Sequence, residues 1–211
     1  MIVVDEESTG PGFRIRAFLP ADETGWVRCR ALAFLDAAYF DDVHPQKKHY
    51  DGRAIELVAE PNGQVVGLID IECEEAPGEI CSAPADPACD GWAGLIWHLA
   101  VHPDYWRRGI GGALLAEAAT QARAWQIRRF EAWTRDDPFV IDWYQAQGFQ
   151  RVQYYWHLYL ASREELAAMQ TQVPGLRPVS VFAHYLGDDG AVIGRFARAH
   201  RYSRFDLYLE P

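Results

Sequence analysis

The stretch from Trp97 to Leu115 leaves this chain few ways to fold. An apolar run from Leu95 to Val101, bounded by Gly94 and Pro103, is short enough for a buried strand, and the residues after Gly111 change to helical spacing. Between the two lies a basic, glycine-rich turn. Glycines at 109, 111 and 112 carry no Cβ, so backbone N–H groups there can approach an anion closely. The helix behind them adds unsatisfied N–H donors and the positive end of its dipole. Arg107 and Arg108 bring fixed charge to the same place. A junction of this kind suits a pyrophosphate.

Two familiar phosphate loops can be tested against it. A P-loop needs Gly-Lys followed by Ser or Thr, and no Gly-Lys pair occurs in the chain. A Gly-x-Gly-x-x-Gly dinucleotide fingerprint beginning at Gly109 would need glycine where Leu114 stands, although Glu131 lies at about the spacing of its ribose-binding acid. An ordinary strand-to-helix turn with a solvated arginine pair also fits the bare glycine pattern.

Trp106-Arg107-Arg108-Gly109-Ile110-Gly111, preceded by Leu99-Ala100-Val101-His102-Pro103, resembles motif A of the GNAT superfamily of acyl-CoA-dependent N-acyltransferases. Its first position departs from the family's Gln or Arg, because Trp106 stands there. Farther on, Tyr144-Gln145-Ala146-Gln147-Gly148-Phe149 is similar to the Tyr-x-x-x-Gly-Phe that closes these domains. The resemblance covers roughly residues 13–160. It implies a mixed α/β sheet with helices on both faces and a central splayed strand, and acetyl-CoA as cosubstrate. It also implies cofactor contacts from Leu99, Ala100 and Val101, from Arg107, Arg108, Gly109, Ile110, Gly111 and Gly112, and from Asp137, where many members carry Asn.

The acyl chemistry needs a proton acceptor for the amine and a proton donor for the departing thiolate. Tyr144 matches the family's donor, and a phenol near pKa 10 can protonate a thiolate of pKa about 8.5 when the two are close. For the acceptor the sequence offers His98, an imidazole on the central strand, and the strand carboxylates Glu131 and Glu72, which could act through water. Strict alternation would put Leu95, Trp97 and Leu99 on one face of that strand and His98 on the other. The function expected is an N-acetyltransferase moving the acetyl group of acetyl-CoA to a primary amine, small or peptidyl, by direct attack. The alternative is a non-catalytic acyl-CoA sensor or scaffold.

Composition narrows the rest. A chain of 211 residues, 49% of them hydrophobic, can bury one full core. A net charge of −10 argues against nucleic acid as a partner and mildly favours a cationic acceptor. Cys29, Cys73, Cys81 and Cys89 form no CxxC, so free thiols are expected, with a Cys81–Cys89 bridge or metal pair as the alternative and no metal site otherwise. Met1-Ile2-Val3-Val4 runs straight into Asp5-Glu6-Glu7 and no apolar run approaches a membrane span, so a cytoplasmic protein is expected, as a monomer or homodimer.

In chain order, Phe13-Arg14-Ile15-Arg16 alternates as a strand, and Trp26, Val27, Cys29, Leu32, Ala33 and Phe34 space as a helix that a second helical stretch over 36–51 should follow. Ala54–Glu60 and Gln64–Cys73 form a hairpin about Pro61-Asn62-Gly63. Glu74–Gly94 reads as a long surface loop, and Phe130–Thr134 as a strand. Asp136-Asp137-Pro138 supplies a capping acid to a helix that stops at Gly148 before a strand over 152–160. The predicted order is β-α-α-β-β-β-α-β-α-β. A domain over 1–160 is followed by a β-rich extension over 161–211 that packs on the core or a partner, in which 179–186 pairs with 191–198.

Overall fold

The computed structural model describes residues 12–87, 89 and 91–210, and the amino-terminal stretch read above lies outside them. The chain divides into two compact units, residues 1–132 with 207–211 and residues 133–206.

The first unit holds β1 (Arg14–Ala17), α1 (Glu23–Leu35), β2 (Ala54–Glu60), β3 (Gly67–Cys73), β4 (Trp92–Val101), α2 (Ile110–Ala124) and the start of β5 (Ile127–Thr134). Its strands lie in the order β1-β2-β3-β4-β5, antiparallel throughout except that β5 runs parallel to β4. The parallel pair follows from the connection, since a helix carries the chain back to the starting edge. Alternation along β3 assigns the faces. Leu68 packs with Trp26, Cys29, Ala33, Val58 and Ala100 beneath α1. A Cβ on its neighbour Gly67 would come 2.6 Å from Ile110 and 3.1 Å from Leu114 of α2. The two helices therefore cover opposite faces, and Gly67 is what lets the start of α2 sit against the sheet.

The hairpin is as the turn residues predict, with Asn62 and Gly63 both at positive φ. The second helix over 36–51 does not form, and turns and extended chain occupy the segment. Pro45 biases His44 away from helical angles, and the chain brings Lys47 to Asp70 of β3 instead. The 74–94 stretch is also more than a surface loop. Glu74 is buried, and its carboxylate accepts from the N–H groups of Gly78 (3.0 Å), Ile80 (3.2 Å), Cys81 (2.8 Å) and Ala93 (3.0 Å). Cys81 is buried with it, and all four cysteines are free.

In the second unit, α3 (Pro138–Ala146) begins at Pro138 and ends ahead of Gly148, which takes φ 88°. Asp137 occupies the N-cap position, but its side chain makes no capping hydrogen bond. β6 (Gln150–Leu160) pairs antiparallel with β7 (Val181–Tyr185) on one side and with β8 (Arg198–Tyr208) on the other. The expected pairing of 179–186 with 191–198 is thus replaced. Gly190–Ile193 is a short helix, α5, capped by Asp189 accepting from Ala191 N–H, and a second short helix, α4, covers Arg163–Leu166.

Glu74 is the element of this fold most exposed to a single change. Glu74→Ala would leave the buried N–H groups of Cys81 and Ala93 without an acceptor, a loss expected at about 3 kcal/mol in urea unfolding, with proteolysis after residue 74 accelerating at the same time.

Candidate active site

The turn between β4 and α2 is built for close approach. Arg107 (φ 61°) and Gly109 (φ 80°) both take left-handed backbone angles, and a Cβ on Gly109 would meet nothing within 4 Å. Crowding inside the chain is therefore not the reason for glycine at 109; its backbone angle is, and the open space in front of it. The first main-chain bond of α2 runs from Ala113 N–H to the Gly109 carbonyl (3.0 Å), and no side chain caps the helix. The N–H groups of Ile110, Gly111 and Gly112 precede that ladder, where a helix dipole favours an anion. Arg108 donates to the Asp104 carbonyl (2.8 Å) and lies over the Tyr105 ring. Trp106, in place of the family's Gln or Arg, donates its indole N–H to the Val101 carbonyl at 2.7 Å.

Upstream, β4 carries one residue more than β3 opposite it. Asp70 pairs with His98 but Ile71 with Ile96, which leaves Trp97 as a bulge. The last pair between β4 and β5 among the described residues is Ile96 with Ala132, so Leu99, Ala100 and Val101 lie beyond the parallel ladder. The bulge overturns the strict alternation expected. Trp97 donates its indole N–H to Glu72 (2.8 Å), on the same face as His98 and Asp70, and the residue is 43% exposed.

On that face, under α1, lies a polar cluster. His98 is buried, accepts at Nδ1 from Arg30 Nε (3.2 Å) and meets Trp26 edge-on. Burial first, and then Arg30, push its pKa down to about 2, so it is a neutral imidazole with its proton on Nε2. Lys47, also buried, pairs with Glu56 and stands 3.1 Å from Asp70 Oδ2. Burial pushes the Asp70 carboxyl up to about 7, against the pull of Lys47. Lys48 bonds Glu72 (3.1 Å) and lies over the Trp97 ring at 3.6 Å.

The residues singled out in sequence are distributed as follows. Leu99–Val101, Arg107–Gly112, His98 and Glu131 belong to the first unit, and Asp137 and Tyr144 to the second. Glu131 is buried and accepts from Ser82 N–H (3.0 Å) and Oγ (3.2 Å) and from Arg129 (3.2 Å). Tyr144 is buried, stacked on Phe205 and edge-on to Phe149. Asp70 and Lys47 escaped sequence reasoning. A lone Asp within the apolar strand Gly67–Cys73, where an uncompensated charge is costly, was the available signal.

The acetyltransferase (GNAT) family model matches residues 22–149. The chain belongs to that family. Solved structures share its fold across nearly the whole chain. The ribosomal-protein-S18-alanine N-acetyltransferase of Escherichia coli has a TM-score of 0.57 at 12% identity, over 94% of this chain and 95% of that one. An N-acetyltransferase of Staphylococcus aureus Mu50 gives 0.56 at 16%, over 94% and 99%. A putative acetyltransferase, yncA, of Salmonella typhimurium, solved with its cofactor acetyl-CoA, gives 0.55 at 17%, over 94% and 95%. No curated protein matches the sequence. Members of this GNAT family transfer an acetyl group from acetyl-CoA, and the open turn at Gly109 with the N–H groups that head α2 fits the pyrophosphate such a molecule carries.

The low pKa of His98 makes a prediction about stability. Between pH 6.5 and about 2 the unfolded chain binds a proton at this position and the folded chain does not, so stability falls as pH drops through that window. In His98→Gln that component is absent. Urea unfolding at pH 7 and pH 4.5 should show a smaller acid loss in the variant than in the parent.

Proposed function

We propose that the protein is an acetyl-CoA-dependent N-acetyltransferase whose acceptor is a primary amine, small or peptidyl, acetylated by direct attack. The observation that carries this reading is the conjunction at β4, where the strand leaves β5 just before the open, anion-ready turn that starts α2. Bound there, acetyl-CoA supplies the activated acetyl group.

The chain's own residues divide the work. Backbone N–H groups from Arg107 to Gly112 take the pyrophosphate, with the charge of Arg107 and Arg108 beside them. Main-chain groups of Leu99, Ala100 and Val101, beyond the parallel ladder, are suited to pair with the extended arm of the cofactor, and a strand N–H at the bulge is preorganised to meet a developing oxyanion. Asp137 is proposed as a further cofactor contact on its place in the family motif. Tyr144 is assigned the proton of the leaving thiolate, on its match to the family's closing Tyr-x-x-x-Gly-Phe.

Two experiments test the assignment. Acetyl-CoA should raise the melting temperature, and Gly109→Leu should abolish that rise in a protein that still folds, since the side chain would fill the space a phosphate needs; unchanged affinity would remove the pyrophosphate site. Free-thiol release across a panel of primary amines tests turnover, and a chain that binds acetyl-CoA yet releases no thiol would be a sensor or scaffold. For Tyr144→Phe, kcat corrected for folded fraction should fall roughly 10²-fold with acetyl-CoA affinity nearly intact.

A further inference from the structure

Four buried polar groups from four different segments converge beneath α1 with no hydrogen-bond partner among the described residues. They are Trp26 Nε1 of α1, the Tyr50 hydroxyl of the 36–53 segment, both carboxylate oxygens of Asp70 on β3, and His98 Nε2 on β4. Lys47 and the Trp26 indole both stand close enough to Asp70 to favour its charge, but without the alignment of a full hydrogen bond; the bonds of Lys47 go to Glu56 and to the Lys48 carbonyl (3.1 Å). Here the open groups include three donors, Trp26, Tyr50 and neutral His98, beside one acceptor, Asp70. That set is what one or two internal waters require.

The position is informative as well. Asp70 pairs directly with His98, one residue from the bulge at Trp97 where β4 parts from β5. Resting on the acetyl-transfer reading above, we propose that the Asp70 carboxylate, steadied by Lys47, receives the proton that the acceptor ammonium must lose, through water seated against Trp26, Tyr50 and His98. The balance is simple. The ammonium gives one proton to Asp70, and the neutral amine forms the C–N bond as the thioester C–S bond breaks. Tyr144 protonates the departing thiolate, the second amine proton restores the phenol, and Asp70 later returns its proton to solvent.

The groups facing Asp70 set the direction of its titration. Burial first, and then Glu56 on β2, disfavour its charge, while Lys47 and the Trp26 indole favour it. His98 stays neutral, and Arg30, His44 and Lys48 stand around that imidazole. Tyr50, its own pKa raised by burial and by Asp70, remains a phenol.

Two readouts test this. In the protein without ligand, difference infrared spectra between pH 5.5 and 8.5 should show a protonated carboxyl band that disappears near pH 7 and is missing from Asp70→Asn; no such band overturns the proposal. With an amine that supports turnover, kcat should rise along an acid limb of midpoint near 7. Asp70→Asn should lower kcat at least tenfold and erase the limb, with acetyl-CoA affinity kept. Lys47→Met should move the limb to higher pH, which keeps the test open if the first variant folds poorly. An unchanged limb in both variants would overturn the proposal alone. Absence of turnover with every amine in the parent would overturn the acetyl-transfer reading, and this proposal with it.

Discussion

One extra residue in β4 governs the rest of the first unit. A strand in register with β3 along its whole length would hold Trp97 on the face opposite His98 and would have no reason to leave β5. With Trp97 bulged, the residues before it keep the parallel ladder to β5 and those after it do not. The bulge also turns the Trp97 indole toward Glu72, so a large ring, a carboxylate and the buried Asp70–His98 pair share one face. A single-residue bulge thereby produces both an unpaired strand edge toward β5 and a polar face beside it.

That face carries charges the interior does not tolerate unaided. Lys47 and Asp70 are both fully buried as side chains, and burial of two ions costs more than their attraction returns unless other groups share the load. Three aromatic rings, Phe18 at 4.9 Å, Tyr50 at 5.0 Å and Trp26 at 5.5 Å, lie around the Lys47 ammonium, and Glu56 completes its shell. This explains why residues 36–51 are not a helix. An irregular chain can bring Lys47, Lys48 and Tyr50 onto one polar patch, whereas a helix would turn Tyr50 about 160° away from Lys48.

Much of the fold was legible because its signals are local. The Pro61-Asn62-Gly63 turn, the glycines that open α2, and Pro138 with Gly148 at the ends of α3 each dictate backbone angles by themselves. The family resemblance rested on the same kind of feature and holds over residues 22–149. What stayed hidden depends on partners far away in sequence. Glu74 organises its loop through N–H groups of Gly78, Ile80, Cys81 and Ala93, and nothing in the Pro- and Ala-rich composition announces it. His98 drew attention as an imidazole on the central strand. Burial, and then the arrival of Arg30, sixty-eight residues earlier, hold it as a neutral imidazole that accepts at Nδ1. Asp70 became visible through the same long-range assembly, since its neighbours come from α1, β2, β4 and the segment between α1 and β2.

The departure at Trp106 has a physical account of its own. A Gln or Arg at the head of this turn would offer side-chain donors to an anion, and an indole offers one N–H, which here goes to the Val101 carbonyl. The indole thus ties the end of β4 to the turn five residues later, across the short Pro103–Tyr105 helical turn. Arg107 follows directly at positive φ, a conformation that costs a non-glycine residue about a kilocalorie or more and persists only where its surroundings hold it. The Trp106 tie and the Arg108 bond to the Asp104 carbonyl supply that hold on either side of Arg107. The indole at this position therefore gives up a side-chain donor and braces the backbone that leads into the uncapped start of α2.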